Sequence, residues 1–358
     1  MNVHLKPLSF KKYSLTLIYT FLFMGLMIAW MEIYFERIYG DLTRLGNFPE
    51  RYFGWQYPQP SISPDLFKDY SFNEADILVI GDSFSIGRTW QTKLVSEGLK
   101  VGTMHWGELK TKSEAMPSNL GNALRTSGFK GRYVVIESVE RLFQDRMKAL
   151  SEVQNPPFVK KAFVINSDFP LYPFNNRELF SWNKLNGGEW GVKALYNSIK
   201  LFLNLPDGYL KSGMSQAIKF DGCDFFSHRL CNYALFVDGD FKKGTFTSID
   251  NVLEVNKSLQ QSGIQPIWVI VPDKATIYLG YGKLNKQPYQ NIWQLFSQHP
   301  ELTAPDLGTA FVDKSRKIKD LYLSNDTHLG VNGFLYMGDI VAKEIQNLNI
   351  NKTKSLSP

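Results

Sequence analysis

The hydrophobic pattern divides the chain into unlike stretches. Tyr13 to Met31 contains no charged residue, and at about 1.5 Å rise per residue a helix of that length is enough to cross a hydrocarbon core of about 30 Å. Residues 33–74 keep neither a helical nor a strand period, and Pro49, Pro58, Pro60 and Pro64 interrupt any regular element. They read as a linker. Tyr52, Phe53, Trp55 and Tyr57 are many aromatics for a free linker, so packing of part of it back on the domain is an equal alternative.

From Asp76 the pattern changes. Ile77-Leu78-Val79-Ile80 is a continuous apolar run of the kind a strand covered on both faces shows, and it ends at Gly81-Asp82-Ser83. Trp90, Leu94 and Val95 then fall at helical spacing, and Gly98 supplies a stop. Tyr133 to Ile136 and Ile264 to Val271 are further strand candidates, the second preceded by a helical pattern from Ser248 to Gln261. Strands alternating with helices predict an α/β fold with a mostly parallel sheet and helices on both faces. Between about 143 and 247 the regularity fades, and Phe174, Phe180, Trp182, Trp190 and Tyr196 mix with Asn and Gly, which marks an insertion. Its aromatics serve either as ordinary core or as a surface for stacking sugars. No internal repeat is visible.

Composition adds limits rather than identity. With 358 residues and 44% hydrophobic content the chain can bury a full core, so disorder is excluded as the default. The net charge of +6 comes from scattered Lys and Arg, and no basic stripe argues for nucleic acid. The excess permits an anionic polysaccharide or lipid headgroup as partner, and an ordinary solvated surface explains it as well. Charge matters more around the apolar run. Lys6, Lys11 and Lys12 precede it while Glu32 and Glu36 follow, so the N-terminus is expected in the cytoplasm and the rest outside. The alternative is a cleaved signal peptide, for which the run is long and Ala29-Trp30-Met31-Glu32 offers no small-residue cleavage site. Cys223 and Cys231, the two cysteines, either form a small-loop disulfide in an oxidising compartment or stay free. No Cys/His set has metal spacing, and neither a metal nor a cofactor is expected.

Two short stretches carry chemistry. A serine hydroxyl is a poor nucleophile until a base takes its proton, and the base needs an acid to fix its tautomer. Ser83 follows a buried strand and precedes a helix, at the sheet edge where open α/β folds build their sites. Near the other end, Asn325-Asp326-Thr327-His328-Leu329-Gly330 places Asp and His two residues apart, ahead of a helical pattern through Met337, Ile340, Val341 and Ile345. His4 lies before the apolar run, and His105, His228 and His299 have no Asp at that spacing.

Gly81-Asp82-Ser83-Phe84 early and Asp326-Thr327-His328 late resemble the first and last blocks of the SGNH/GDSL hydrolase superfamily. With an N-terminal anchor they resemble its alginate-O-acetyltransferase-like, SGNH acyltransferase branch. Glu137-Ser138-Val139-Glu140-Arg141 is similar to the Glu-Arg block of that branch, and Val271-Pro272-Asp273-Lys274-Ala275-Thr276 to its Pro-x-Lys segment. The resemblance spans about residues 75–345 outside the insertion. It departs from the branch in three places: the Gly-x-Asn-Asp block that supplies an oxyanion-hole Asn is missing, the Ser precedes the Asp-His pair instead of following it, and Leu329 stands where Trp is usual.

The resemblance implies a doubly wound SGNH-like fold with Ser83 as nucleophile, His328 as base and Asp326 as its orienter. The Ser83 N–H, Gly107 and Arg141 are the candidates for holding an oxyanion or substrate. The implied arrangement is a cytoplasmic tail and transmembrane anchor over 1–32, a linker over 33–74, and a catalytic domain over 75–350 with its insertion at about 143–247. The implied activity is transfer of an acyl group, acetyl first, to an envelope or exported polysaccharide, the donor being delivered by a membrane acyltransferase. An esterase of the same fold is the first alternative. A non-catalytic polysaccharide-binding or assembly protein is the alternative of a different class.

Overall fold

In the computed structural model the chain is described over residues 10–34, 40–109, 111, 115–153, 163–164, 189–206, 210–241, 246–280 and 291–356. Phe174, Phe180 and Trp182, among the aromatics expected in the insertion, lie outside the described residues, as do His4, Lys6 and Glu36.

The apolar runs become a parallel sheet. Strands β1 (Ile77–Gly81), β2 (Val101–His105) and β3 (Tyr133–Val139) are completed, much later in the chain, by a fourth, and the spatial order is β2-β1-β3 with Gln265–Val271 on the far side of β3. Because alternate side chains of a strand leave opposite faces, Leu78, Ile80, Val134, Ile136, Trp268 and Ile270 enter one core, with helices 120–126, 249–261 and 292–297 over it. Ile77, Val79, Val135, Ile267 and Val269 enter the other, under helices 91–96, 307–315 and 331–356. The fold is therefore mixed α/β with helices on both faces of a parallel sheet. The helix expected from Ser248 to Gln261 runs from Ile249 to Gln261, and Gly98 takes φ +84° just past helix Gln91–Ser96. Strand β2 was not anticipated, because Gly102 and Thr103 break its apolar run.

Part of the insertion is a second sheet. Between β3 and Gln265–Val271 the chain forms antiparallel strands β4 (Ser215–Lys219) and β5 (Tyr233–Val237), which makes Gln265–Val271 strand β6. Cys223 and Cys231 lie between β4 and β5 and are disulfide-bonded, with 4.6 Å between their Cα atoms. Inner side chains of this sheet, Ala217, Tyr233, Leu235 and Val237, do not face the main core. They bury Leu42, Phe48 and Phe53 from the segment that follows the N-terminal helix.

That segment does not extend away from the domain. Residues 41–46 and 50–53 are short helices, and Lys68–Asp69 forms a two-residue strand. Pro49 precedes helix Glu50–Phe53 and Pro64 opens a 3₁₀ turn, while Pro58 and Pro60 lie in irregular chain between them. The prolines therefore shorten elements rather than abolish them. The N-terminal helix itself, Phe10–Tyr34, contains a 22-residue window from Phe10 to Met31 that is long and apolar enough to cross a membrane.

Candidate active site

Strand β1 delivers Gly81-Asp82-Ser83 to the carboxyl edge of the sheet, and the turn is locked from below. Asp82 opens the one-turn helix Ser83–Ile86, its Oδ1 accepting from the Phe84 N–H at 3.1 Å. Its Oδ2 accepts from Arg146 Nη1 at 2.8 Å and from the Val139 N–H at 3.0 Å. Burial works against ionisation of Asp82, but the Arg146 charge and these donors outweigh it and hold its pKa below the usual carboxylate value. Glu137, wholly buried, has the opposite fate: burial and then the Asp82 charge push its carboxyl well above the ordinary range. Its Oε2 accepts from the Asp82 N–H at 3.0 Å and from Ser85 Oγ at 2.7 Å. A Cβ at Gly81 would collide with Ser85 and with Glu137 Oε2, which is why the motif begins with glycine. The network leaves Ser83 as the exposed residue of the turn.

The C-terminal loop brings its pair to that residue. His328 Nε2 lies 2.8 Å from Ser83 Oγ, and His328 Nδ1 lies 2.7 Å from Asp326 Oδ1. The same Oδ1 accepts from the His328 backbone N–H at 2.9 Å. Asp326 Oδ1 thus accepts a hydrogen bond from Nδ1–H, which keeps the proton on Nδ1 and turns the Nε2 lone pair to the serine hydroxyl. The Phe84 ring, 4.8 Å from the imidazole centroid, limits its rotation. Burial lowers the His328 pKa, but the hydrogen bond and charge of Asp326, helped by Asp41, more than offset that, and the ring titrates above its usual 6.5. Asp326 is drawn down to about 2: burial raises it, and its bonds to His328 and the Asp41 N–H prevail. Ser83, His328 and Asp326 are thus brought together in one hydrogen-bonded series.

The two other blocks noted in the sequence prove to hold the loop and each other. Lys274 is buried, and its ammonium donates to the carbonyls of Leu323 at 2.7 Å, Ser324 at 2.9 Å and Asp326 at 3.3 Å. Glu140 Oε2 accepts from the Asp273 N–H at 2.9 Å and from Thr276 Oγ1 at 2.6 Å. Arg141 Nη1 reaches Asp273 Oδ1 at 2.6 Å and Asp240 Oδ1 at 3.4 Å. Its charge acts on His328, opposing protonation of the ring. Gly107 sits in the turn after β2, beside the strand that carries Ser83, and its N–H donates to His105 Nδ1 at 3.0 Å.

Asp41 was missed. Its N–H donates to Asp326 Oδ2 at 3.0 Å, and its own carboxylate stands 3.6 Å from His328 Nδ1. The next two N–H groups, of Leu42 and Thr43, donate to the Asn325 carbonyl at 3.0 and 3.3 Å. Gly40 lies so close to that carbonyl that a Cβ would collide with it. Glu50 accepts from Asn325 Nδ2 and, at 2.6 Å, from Thr43 Oγ1, while Ser324 Oγ donates to the Phe53 carbonyl. The surplus of aromatics at 52–57 was the one sequence signal that this segment packs back. Nothing local connects Asp41 to a residue 285 positions away. Asp41, Asp326 and His328 also stand close enough for a cation, but Asp326 Oδ1 and His328 Nδ1 are already spent on one another.

Residues 237–356 match the sequence model of a family described as SGNH hydrolase-like domain, acetyltransferase AlgX. This supports the resemblance drawn from the motifs and points to an acetyltransferase- or hydrolase-like domain. The match takes in the Pro-x-Lys segment and the Asp-Thr-His block, and Ser83 joins them through geometry. A search of curated proteins and one of solved structures found no match.

Proposed function

We propose that the protein is a membrane-anchored O-acyltransferase, acting through a serine acyl-enzyme on an envelope or exported polysaccharide, with acetyl as the group moved. The observation that carries this reading is the unbroken series from Ser83 Oγ through the His328 ring to Asp326, at 2.8 and 2.7 Å. Ser83 Oγ attacks the donor's acyl carbonyl while His328 Nε2 takes its proton, and the imidazolium, stabilised by Asp326, returns that proton to the leaving group. A sugar hydroxyl then loses its proton to the same Nε2 and attacks the Ser83 ester, and Ser83 regains its proton as the bond breaks. No partner of the Ser83 N–H is seen among the described residues, so it is the first donor for the oxyanion. Gly107 would serve only after its bond to His105 opens. Arg141, bound to two carboxylates, acts on the charge of the site.

Helix Phe10–Tyr34 is the anchor in this reading, with the N-terminus cytoplasmic and the domain outside. A membrane acyltransferase that presents the donor would fit that placement. Exposure of Ser83 favours one second reading, an esterase, because water can reach an open acyl-enzyme. An acetyl ester that releases a coloured phenol separates the cases. Ser83→Ala should abolish turnover and leave the fold intact, since the side chain is exposed. Added acceptor saccharide should divert acetyl from water to sugar. Acetate as the sole product under every acceptor would favour the esterase, and turnover unchanged in Ser83→Ala would remove the nucleophile and return the binding-protein alternative.

A further inference from the structure

The helix Glu189–Phe202 is apolar on two opposite faces, and protein covers one of them. Trp190, Ala194 and Leu201 are buried, and Asn197 between them donates to the carbonyls of Gly46 and Asn47 at 3.0 and 2.9 Å. At 3.6 residues per turn, Val192, Tyr196, Ile199 and Leu203 fall within an arc of roughly 60° on the other side. All four are exposed, and Phe202 beside them is 89% exposed. A soluble protein places its polar residues on such a face. The location explains the exception: Trp190 and Ala194 pack against Ile28 and Met31, in the last turns of the apolar N-terminal helix. The exposed stripe is on the side of helix 189–202 turned away from that contact, and the contact sets the helix at the depth where the N-terminal helix would leave the bilayer.

We infer that helix 189–202 lies in the membrane interface, with Val192, Tyr196, Ile199, Phe202 and Leu203 set into the boundary between headgroups and acyl chains. This rests on the reading of Phe10–Tyr34 as a membrane span. The flanking residues suit that depth. Trp30 and Tyr34 stack at 4.9 Å near the end of the span, as aromatic residues do at a bilayer surface. Arg51 lies 3.8 Å over the Tyr34 ring. Lys193, exposed, and Lys200, buried with its ammonium 4.8 Å from the Tyr196 ring centroid, share one flank of the stripe. Partners are thereby joined in one path. The interfacial helix holds 46–47 through Asn197, the helix ending there holds Asp326 through the Asp41 N–H, and Asp326 holds His328. The acid side of the site is thus fastened to the membrane surface, where a donor presented from the bilayer would arrive.

The test uses the full chain reconstituted into phosphatidylcholine–phosphatidylglycerol vesicles that contain a phospholipid with a diazirine near the top of one acyl chain. After irradiation, lipid adducts are mapped by mass spectrometry. Adducts are expected both in 10–34 and in 189–203. Tyr196→Asp with Ile199→Asp, two exposed positions where the fold should tolerate the change, should cut adducts in 189–203 by about tenfold or more while 10–34 stays labelled. Labelling of 10–34 alone would overturn the inference and leave the span standing. Cross-links between two copies of 189–203, without lipid adducts there, would assign the face to a second copy instead. Absence of adducts from 10–34 would overturn the span and the inference that rests on it.

Discussion

Replacing Asp326 by Asn keeps the size of the side chain and removes its charge, which makes the energetic role of the carboxylate measurable. Both oxygens of Asp326 receive N–H groups: Oδ1 from His328 N and Nδ1, Oδ2 from Asp41 N. An amide has one acceptor oxygen, so in either orientation its NH₂ meets a backbone donor; keeping the carbonyl on His328 sacrifices the bond to Asp41. Two estimates bracket the electrostatic loss. The Asp326 pKa near 2 instead of 3.8 corresponds to about 2 kcal/mol, net of opposing burial. Unit charges about 4 Å apart at an effective dielectric near 20 attract by about 4 kcal/mol. Ester turnover by Asp326→Asn should therefore fall by roughly 30- to 1,000-fold, before any penalty for the wrong imidazole tautomer. The pH profile is the sharper assay. The base must be neutral, so wild-type kcat/KM should fall as pH drops through a His328 pKa raised above 6.5. In the variant that inflection should move to lower pH, because the carboxylate that raised it is gone. The stability linkage has the sign of a depressed acid: the wild type keeps this stabilisation above pH 4 or so and loses it as pH falls toward 2, and the variant has none to lose. A loss under about threefold, or an unmoved inflection, would refute the assignment of Asp326 as the orienter of His328.

Three further outcomes are expected. Arg146→Met strands the Asp82 carboxylate in the core beside Glu137 and should cost about 3–5 kcal/mol in urea unfolding; a change within experimental error would mean that Asp82 is neutral in the fold. Lys274→Met removes the donor to three loop carbonyls and should cost about 1–3 kcal/mol. It should also lower turnover without moving KM, because the loop that carries Asp326 is loosened. Cys223→Ser with Cys231→Ser opens a loop of sequence separation 8 and should cost about 2–3 kcal/mol, read by thermal unfolding with the ester turnover per folded molecule unchanged.

Sequence by itself determined whatever depends on neighbours along the chain. A continuous apolar run such as Ile77–Ile80 reads as a strand covered on both faces, the alternation of such runs with helical patterns predicts a parallel sheet, and the uncharged run from Tyr13 to Met31 reads as a candidate span without any tertiary information. Asp326 and His328 were legible as a pair because two residues on one loop share a location. Their distance to Ser83, 245 positions away, was an inference from chemistry until the fold closed it to 2.8 Å. Tertiary structure alone decided the supports. Asp82 read as a turn residue, and its pairing with Arg146 across 64 positions follows from where β3 and the helix after it lie. The Pro-x-Lys lysine gave no sign that its amine would hold three carbonyls of the loop at 323–326. Proline spacing made 33–74 resemble a linker, because local propensity says that its elements are short and is silent on what buries them. Leu42, Phe48 and Phe53 are core because β4 and β5, formed about 170 residues later, offer an apolar face that they cover together with Leu201 and Leu210. That burial brings the Asp41 N–H to Asp326, a contact between distant segments whose energy comes from packing rather than from any local pattern.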